Sequence, residues 1–199
     1  MDDNQWGSFV KAVDTLSQLP IFMSDGSNWT TTSLRADLSR LKAQHGIKWF
    51  VLDYLYLLND GVGSDEIERT SLASKGLKRA ERELDLAGIA VHSMNKAGMN
   101  ESSDIPSQGQ LRGSGQVVYD ADLITFLTPY SRKLDKDMPQ VSPQDEDKVK
   151  VLWFGKGREL EDPRKYIKLV RRSGYPEFAE YAPEGIKIGR ASCRERVEI

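Results

Sequence analysis

The sequence predicts an α/β domain: a mostly parallel sheet flanked by helices, with a C-terminal antiparallel hairpin. Three observations carry this. Trp49-Phe50-Val51-Leu52 is a short apolar run of aromatic, β-branched and aliphatic residues that ends in one acid, Asp53. Such a run suits a strand buried on both faces, as in a parallel sheet. Ala73, Leu77, Ala80 and Leu84 then line one face of a long helix over about residues 65–86, and a second apolar run, Ile89-Ala90-Val91, follows. Strand, helix and strand make a right-handed crossover, which places Asp53 and Ser93 on the same sheet edge. Finally, Val149–Phe154 and Tyr166–Val170 alternate as two strands joined by Gly155-Lys156-Gly157-Arg158 and a charged turn, the pattern of a hairpin.

The elements follow in order. Trp6, Phe9, Val10, Val13 and Leu16 recur at helical spacing over residues 1–19, and Pro20 stops that helix. Ile21-Phe22-Met23 reads as a short strand before the turn cluster Ser24-Asp25-Gly26. Thr30 is placed as an N-cap with Ser33 at N3, and Leu34, Leu38 and Leu41 form the apolar stripe of the helix it opens. Gly46 stands where a C-cap belongs, and His45 suits the negative end of the helix. In the long helix, Lys78, Arg79, Arg82 and Glu83 form a solvated face, and Gly88 marks its end. Residues 97–116 are small and polar with several glycines, a loop long enough to suggest function. Leu123–Leu127 is a further strand, and residues 129–148 form an exposed excursion with three prolines and an acidic run.

A length of 199 residues suffices for one sizeable domain, and 39% hydrophobic with 29% charged residues is the balance of an ordinary soluble protein. No apolar run approaches the roughly 18–20 residues of a membrane helix. The start, Met1-Asp2-Asp3-Asn4, carries no secretory signal, so a cytoplasmic setting is expected. Residues 187–199 resemble the translation of a sequencing adapter and are set aside as a non-native tail, leaving 1–186 as the domain. The only cysteine, Cys193, lies in that tail, so thiolate and disulfide chemistry are excluded from the body. A net charge of −2 excludes a globally basic nucleic-acid binder but leaves room for a local basic track.

Open α/β sheets bind ligands at the carboxyl ends of their strands, where Asp53 is expected. A carboxylate there can hold Mg²⁺ in a nucleotide site, directly or through water. A strand followed by Asp also arises where the acid merely starts a turn. Lys156 and Arg158, two residues apart on a strand end, face one way and offer a point charge beside a forked guanidinium. Without other motifs they also fit a solvated basic turn.

Four landmarks in order resemble the C-terminal, RecA-like motor domain of DnaB-type replicative helicases. The first is Trp49–Leu58 with Asp53, where the family tends to read I-D-Y-L-Q-L. The second is the helix Leu77-Lys78-Arg79-Ala80-Glu81-Arg82-Glu83-Leu84 followed by Val91-His92-Ser93-Met94-Asn95-Lys96, where the family has S-Q-L-N-R. The third, and most specific, is Leu111-Arg112-Gly113-Ser114-Gly115-Gln116 leading into Tyr119-Asp120-Ala121-Asp122-Leu123, where the family reads L-R-E-S-G and then Q-D-A-D. The fourth is Lys156-Gly157-Arg158, the family's K-x-R after a strand.

The resemblance implies an ATP hydrolase that moves along single-stranded DNA and unwinds duplex. Asp53 would support the Mg²⁺ that bridges the β- and γ-phosphates of ATP. Lys156 and Arg158 would act on the nucleotide of the neighbouring subunit, Arg158 as an arginine finger. Ser93 stands at the sensor position. Arg112, Gly113 and Gly115 would follow DNA phosphates in a channel loop, where glycines allow close backbone approach. A homo-oligomer, expected as a hexameric ring, and a primase or helicase loader are the implied partners.

Three departures bear on coupling. Ser93 replaces the usual glutamine and is shorter, Lys96 replaces an arginine, and Gly113 replaces a glutamate. The sequence also contains no G-x-x-x-x-G-K-[ST], so the phosphate-cradling loop, its helix and the catalytic glutamate after it are expected in chain preceding residue 1. The chain is therefore read as an N-terminally truncated part of a longer motor, inactive alone. A RecA-like recombination, repair or clock-type ATPase and a degenerate DNA-binding or interaction module remain the alternatives.

Overall fold

Phe50 and the helices beneath it organise the N-terminal half. A computed structural model describes residues 2–26, 28–61, 65–94, 106–111, 115–131, 141–157, 166–171 and 177–181. Helix α1 (Asp3–Ser17) starts with a capping box in which Asp2 and Gln5 exchange hydrogen bonds. Helix α2 (Thr31–His45) opens on the expected Thr30–Ser33 box and ends at Gly46, whose φ of 67° is the left-handed conformation that favours glycine. Strand β1 (Trp49–Leu52) leads through a short 3₁₀ turn (Leu55–Leu57) to helix α3 (Glu66–Leu84), capped by Asp65. Strand β2 (Ala87–Ala90) pairs in parallel with β1, Phe50 opposite Gly88.

One core gathers Leu38 of α2, Phe50 and Leu55 around β1, and Ala73 and Leu77 of α3. Helices α2 and α3 meet closely at Gly76, where an added Cβ would lie 2.5 Å from Thr31 Oγ1.

Beyond the parallel pair the chain builds a four-stranded antiparallel sheet in the order β3-β4-β5-β6. Its strands are β3 (Leu123–Pro129), β4 (Val149–Gly157), β5 (Tyr166–Arg171) and β6 (Phe178–Glu180). The expected hairpin is its β4–β5 pair, with Val149 opposite Val170 and Trp153 opposite Tyr166. Alternate residues Ile124, Phe126, Val151 and Trp153 make a second core. Helix α4 (Gly115–Asp120) precedes β3, and its Val117 packs on the first core while Val118 packs on the second.

Several expectations are corrected. Ile21-Phe22-Met23 is not a strand: it pairs with nothing among the described residues, and Phe22 instead stacks on His45 at 4.2 Å. Strand β1 is covered on one face only. Phe50 is buried against the helices, whereas Trp49 is 62% exposed and Val51 and Ile89 are also exposed. Helix α3 ends at Asp85, with φ 45°, and Gly88 belongs to β2, where a Cβ would strike Phe50 and Glu81. Gly155-Lys156-Gly157 is not part of the hairpin turn but the last three residues of β4. Residues 115–120, of which 115 and 116 were expected in the long loop, are helical. No described helix is long and apolar enough to cross a membrane.

Candidate functional site

The carboxyl ends of β1 and β2 open into a cleft of about 610 Å³ lined by Asp53, Tyr54, Tyr56, Glu66, Arg69 and Ser93, among others. Its position follows from the crossover. Parallel pairing runs past the strand ends, with Val91 N–H donating to Leu52 O at 2.9 Å and Leu55 N–H to Val91 O at 2.9 Å. Asp53 and Ser93 are thereby delivered to one edge, as the sequence predicts, and both are exposed. The Asp53–Tyr54 peptide is cis. Leu55 and Leu58 are buried beneath the turn and anchor it to the α3 core. Glu66 and Arg69, one turn apart at the start of α3, were not singled out from the sequence, although their spacing puts both on one helix face.

Beyond Ser93 the chain is tied back at once: Met94 and Leu111 form an isolated antiparallel bridge. The residue after Ser93 and the residue before Arg112 in sequence are thus side by side. Arg112, Gly113 and Arg158 lie outside the described residues. Gly115 is the first residue of α4.

Lys156 does not line the Asp53 cleft. Its ammonium donates to the carbonyls of Val118, at 2.5 Å, and Ala121, at 2.7 Å, at the end of α4. A bulge aims it there. The β3–β4 register pairs Thr125 with Phe154 but Ile124 with Lys156, so Gly155 is the extra residue. Gly155 is required at that point because a Cβ would lie 2.4 Å from the Phe126 ring. Gln108 Nε2 also donates to Gly155 O at 2.7 Å, which joins the base of the long loop to the same bulge.

A polar seam docks α4 on α3. Ser74 and Gln116 both donate to Asp120, and Lys78 donates to Asp122 at 2.5 Å. Burial pushes the Glu81 carboxyl up, against the opposing pull of Lys78. On the outer face, Arg79 and Glu83 pair at 2.6 Å, and Glu83 is held down by Arg79 and Arg35. The expected solvated face is exposed at Arg79, Arg82 and Glu83, and it also carries this surface pair.

Similarity to known proteins decides the family. The model of the DnaB-like helicase C-terminal domain matches residues 1–180. The chain belongs to this family. The replicative DNA helicase DnaB of Leifsonia xyli subsp. xyli is 28% identical over 184 residues, covering 92% of this chain and 38% of the relative. That of Helicobacter pylori is 34% identical over 131 residues, covering 64% of this chain and 26% of the relative. The chain thus spans well under half the length of these curated relatives. Two solved structures share its fold with a TM-score of 0.74: a DnaB-like replicative helicase described with its interactions with primase, and a second protein's ATPase domain. They are 24% and 23% identical, cover 89% of this chain, and are covered over 42% and 60% of their own length. The expected α/β fold is shared with these two solved structures, and among the described residues its parallel part is the β1–β2 pair while the other four strands are antiparallel.

Proposed function

We propose that this domain is part of a replicative helicase motor that couples ATP hydrolysis to movement along single-stranded DNA and duplex unwinding. The observation that carries the reading is the shared cleft of Asp53 and Ser93 at the carboxyl edge of the parallel strands, in a chain of the DnaB-like family.

The donor set fits Mg²⁺ with a nucleotide. Mg²⁺ takes one or two carboxylates and fills its shell with phosphate oxygens and water. The cleft offers Asp53 as an exposed carboxylate, with Ser93 beside it. Phosphate oxygens of the nucleotide and water would complete the shell. When bound, Mg²⁺ neutralises charge on the β- and γ-phosphate oxygens. Asp53 would hold that ion, and Ser93, shorter than the usual glutamine, would reach the terminal phosphate only with a shift or through a water.

Arg158 serves the neighbouring subunit's nucleotide. An arginine finger stabilises charge on the transferring phosphoryl group and is worth on the order of 10³–10⁵ in rate. Lys156, near the end of β4, accompanies it. Arg112, Gly113 and Gly115 track DNA phosphates without reading bases. The active form is a ring of identical subunits, expected to be hexameric, working in the cytoplasm of a bacterium or phage-infected cell with a primase or loader as partner. ATP turnover by the assembled motor, with Asp53→Asn and Arg158→Ala as tests, decides this reading.

The short Ser93 favours one other reading, a DNA-binding or interaction module without turnover. Full turnover in an assembled motor containing these residues removes it.

A further inference from the structure

Three carbonyls at the end of α4 surround the ammonium of Lys156: Val118 O at 2.5 Å, Ala121 O at 2.7 Å and Tyr119 O at 3.4 Å. Carbonyls at a helix end have no acceptor duty within the helix, and a cation is favoured among them. An ammonium carries three N–H donors, so this one is fully engaged. The approach depends on the β-bulge at Gly155, which turns the end of β4 toward α4. Helix α4 has only six residues, too short to hold itself, and β4 grips its C-terminal end through this side chain. A further polar attachment is the Asp120 seam to α3.

We propose that Lys156 is a positioning residue for DNA contact. By clamping the C-terminal end of α4 to β4, it fixes where Gly115, at the other end of the helix, stands relative to the sheet. The DNA part rests on the helicase reading above. On that reading, a neighbouring subunit's phosphate can take the Lys156 ammonium only by releasing α4. One side chain then links nucleotide state to the DNA-facing helix.

The test compares the 199-residue chain with K156M and K156R. Hydrogen exchange is followed at the Tyr119, Asp120 and Ala121 amides, with β4 amides as the control for folding. K156M is expected to speed exchange in α4 by about tenfold while β4 is unchanged, and K156R, which keeps donors for the carbonyls, restores most of the protection. Affinity for a fluorescein-labelled oligo(dT) falls by about fivefold in K156M and recovers in K156R, with an unchanged slope of log affinity against log salt. Equal α4 exchange in K156M and the unsubstituted chain overturns the proposal. So does a slope reduced by about one, the mark of a lysine that touches phosphate itself. If the unsubstituted chain does not bind oligo(dT), the helicase reading loses support and α4 exchange alone decides the clamp.

Discussion

Ser74 Oγ donates to Asp120 Oδ2 at 2.6 Å, and this bond joins α3 to α4. Gln116 Nε2 holds the other oxygen of the same carboxylate at 2.9 Å. Two residues on, Asp122 accepts from Lys78. The pattern Asp120-Ala121-Asp122 therefore has a local physical reason: each acid answers a donor on α3. Asp120→Ala is expected to lower stability by about 1–3 kcal/mol, because Ser74 is buried and loses its charged acceptor. Asp122→Ala, which breaks an exposed pair, should cost no more than about 1 kcal/mol. Urea unfolding of both variants measures the difference.

Asp60 caps α2 from outside the helix. Its carboxylate accepts from Thr31 N–H at 3.0 and 3.2 Å and from Thr31 Oγ1 at 2.8 Å. Asp60→Ala is expected to cost about 1–2 kcal/mol, the range for losing a helix N-terminal acceptor. Asp60→Asn keeps acceptors without the charge and should recover part of it. The thermal midpoints of the two variants give the order.

Gly155→Ala places a methyl against Phe126, 2.4 Å from its ring, at a bulge that cannot open without breaking the β3–β4 ladder. Overpacking of this kind costs about 1–3 kcal/mol. Calorimetry of the variant, alone and with Phe126→Leu, checks the cause: the smaller side chain should relieve the loss.

Glu81 reverses the usual pH behaviour of a carboxylate. Burial raises its pKa in the folded chain, with Lys78 pulling it down and Asp122 and Asp120 pushing it up. The folded state then holds the proton more tightly than the unfolded state, so this group's contribution falls as pH rises through the carboxylate range. Glu81→Gln is expected to stabilise the protein at neutral pH relative to its effect in acid. A gain that shrinks as pH falls through the raised folded pKa toward the unfolded carboxylate pKa, and levels off below it, is the predicted profile, read from urea midpoints between about pH 4 and 7.

Much of the architecture was legible because it depends on local chemistry. The Thr30–Ser33 cap, Gly46 and the Ala73–Leu77–Ala80 face are set by residues within a turn or two of one another. The crossover rule then carried Asp53 and Ser93 to one cleft without any knowledge of contacts. What escaped depends on partners distant in sequence. Whether Trp49 and Val51 are covered depends on what packs over the sheet, and an apolar run does not say which face is dry. Helix α4 is too short for a periodic signal and is held through Asp120 by α3 and by Lys156 of β4. The bulge at Gly155 looked like a turn because glycine serves both, and only the facing Phe126 ring tells them apart.

The measurement that bears most directly on the helicase reading is subunit mixing. A motor assembled from Asp53→Asn subunits alone, or from Arg158→Ala subunits alone, should lose single-stranded-DNA-stimulated ATP turnover by on the order of 10³-fold or more. Mixed rings should regain turnover, because a subunit with Asp53 intact then meets a neighbour with Arg158 intact. Recovery on mixing is the predicted result. Mixed rings as inactive as their parents, or full turnover in rings of Arg158→Ala alone, would contradict a site shared between neighbouring subunits.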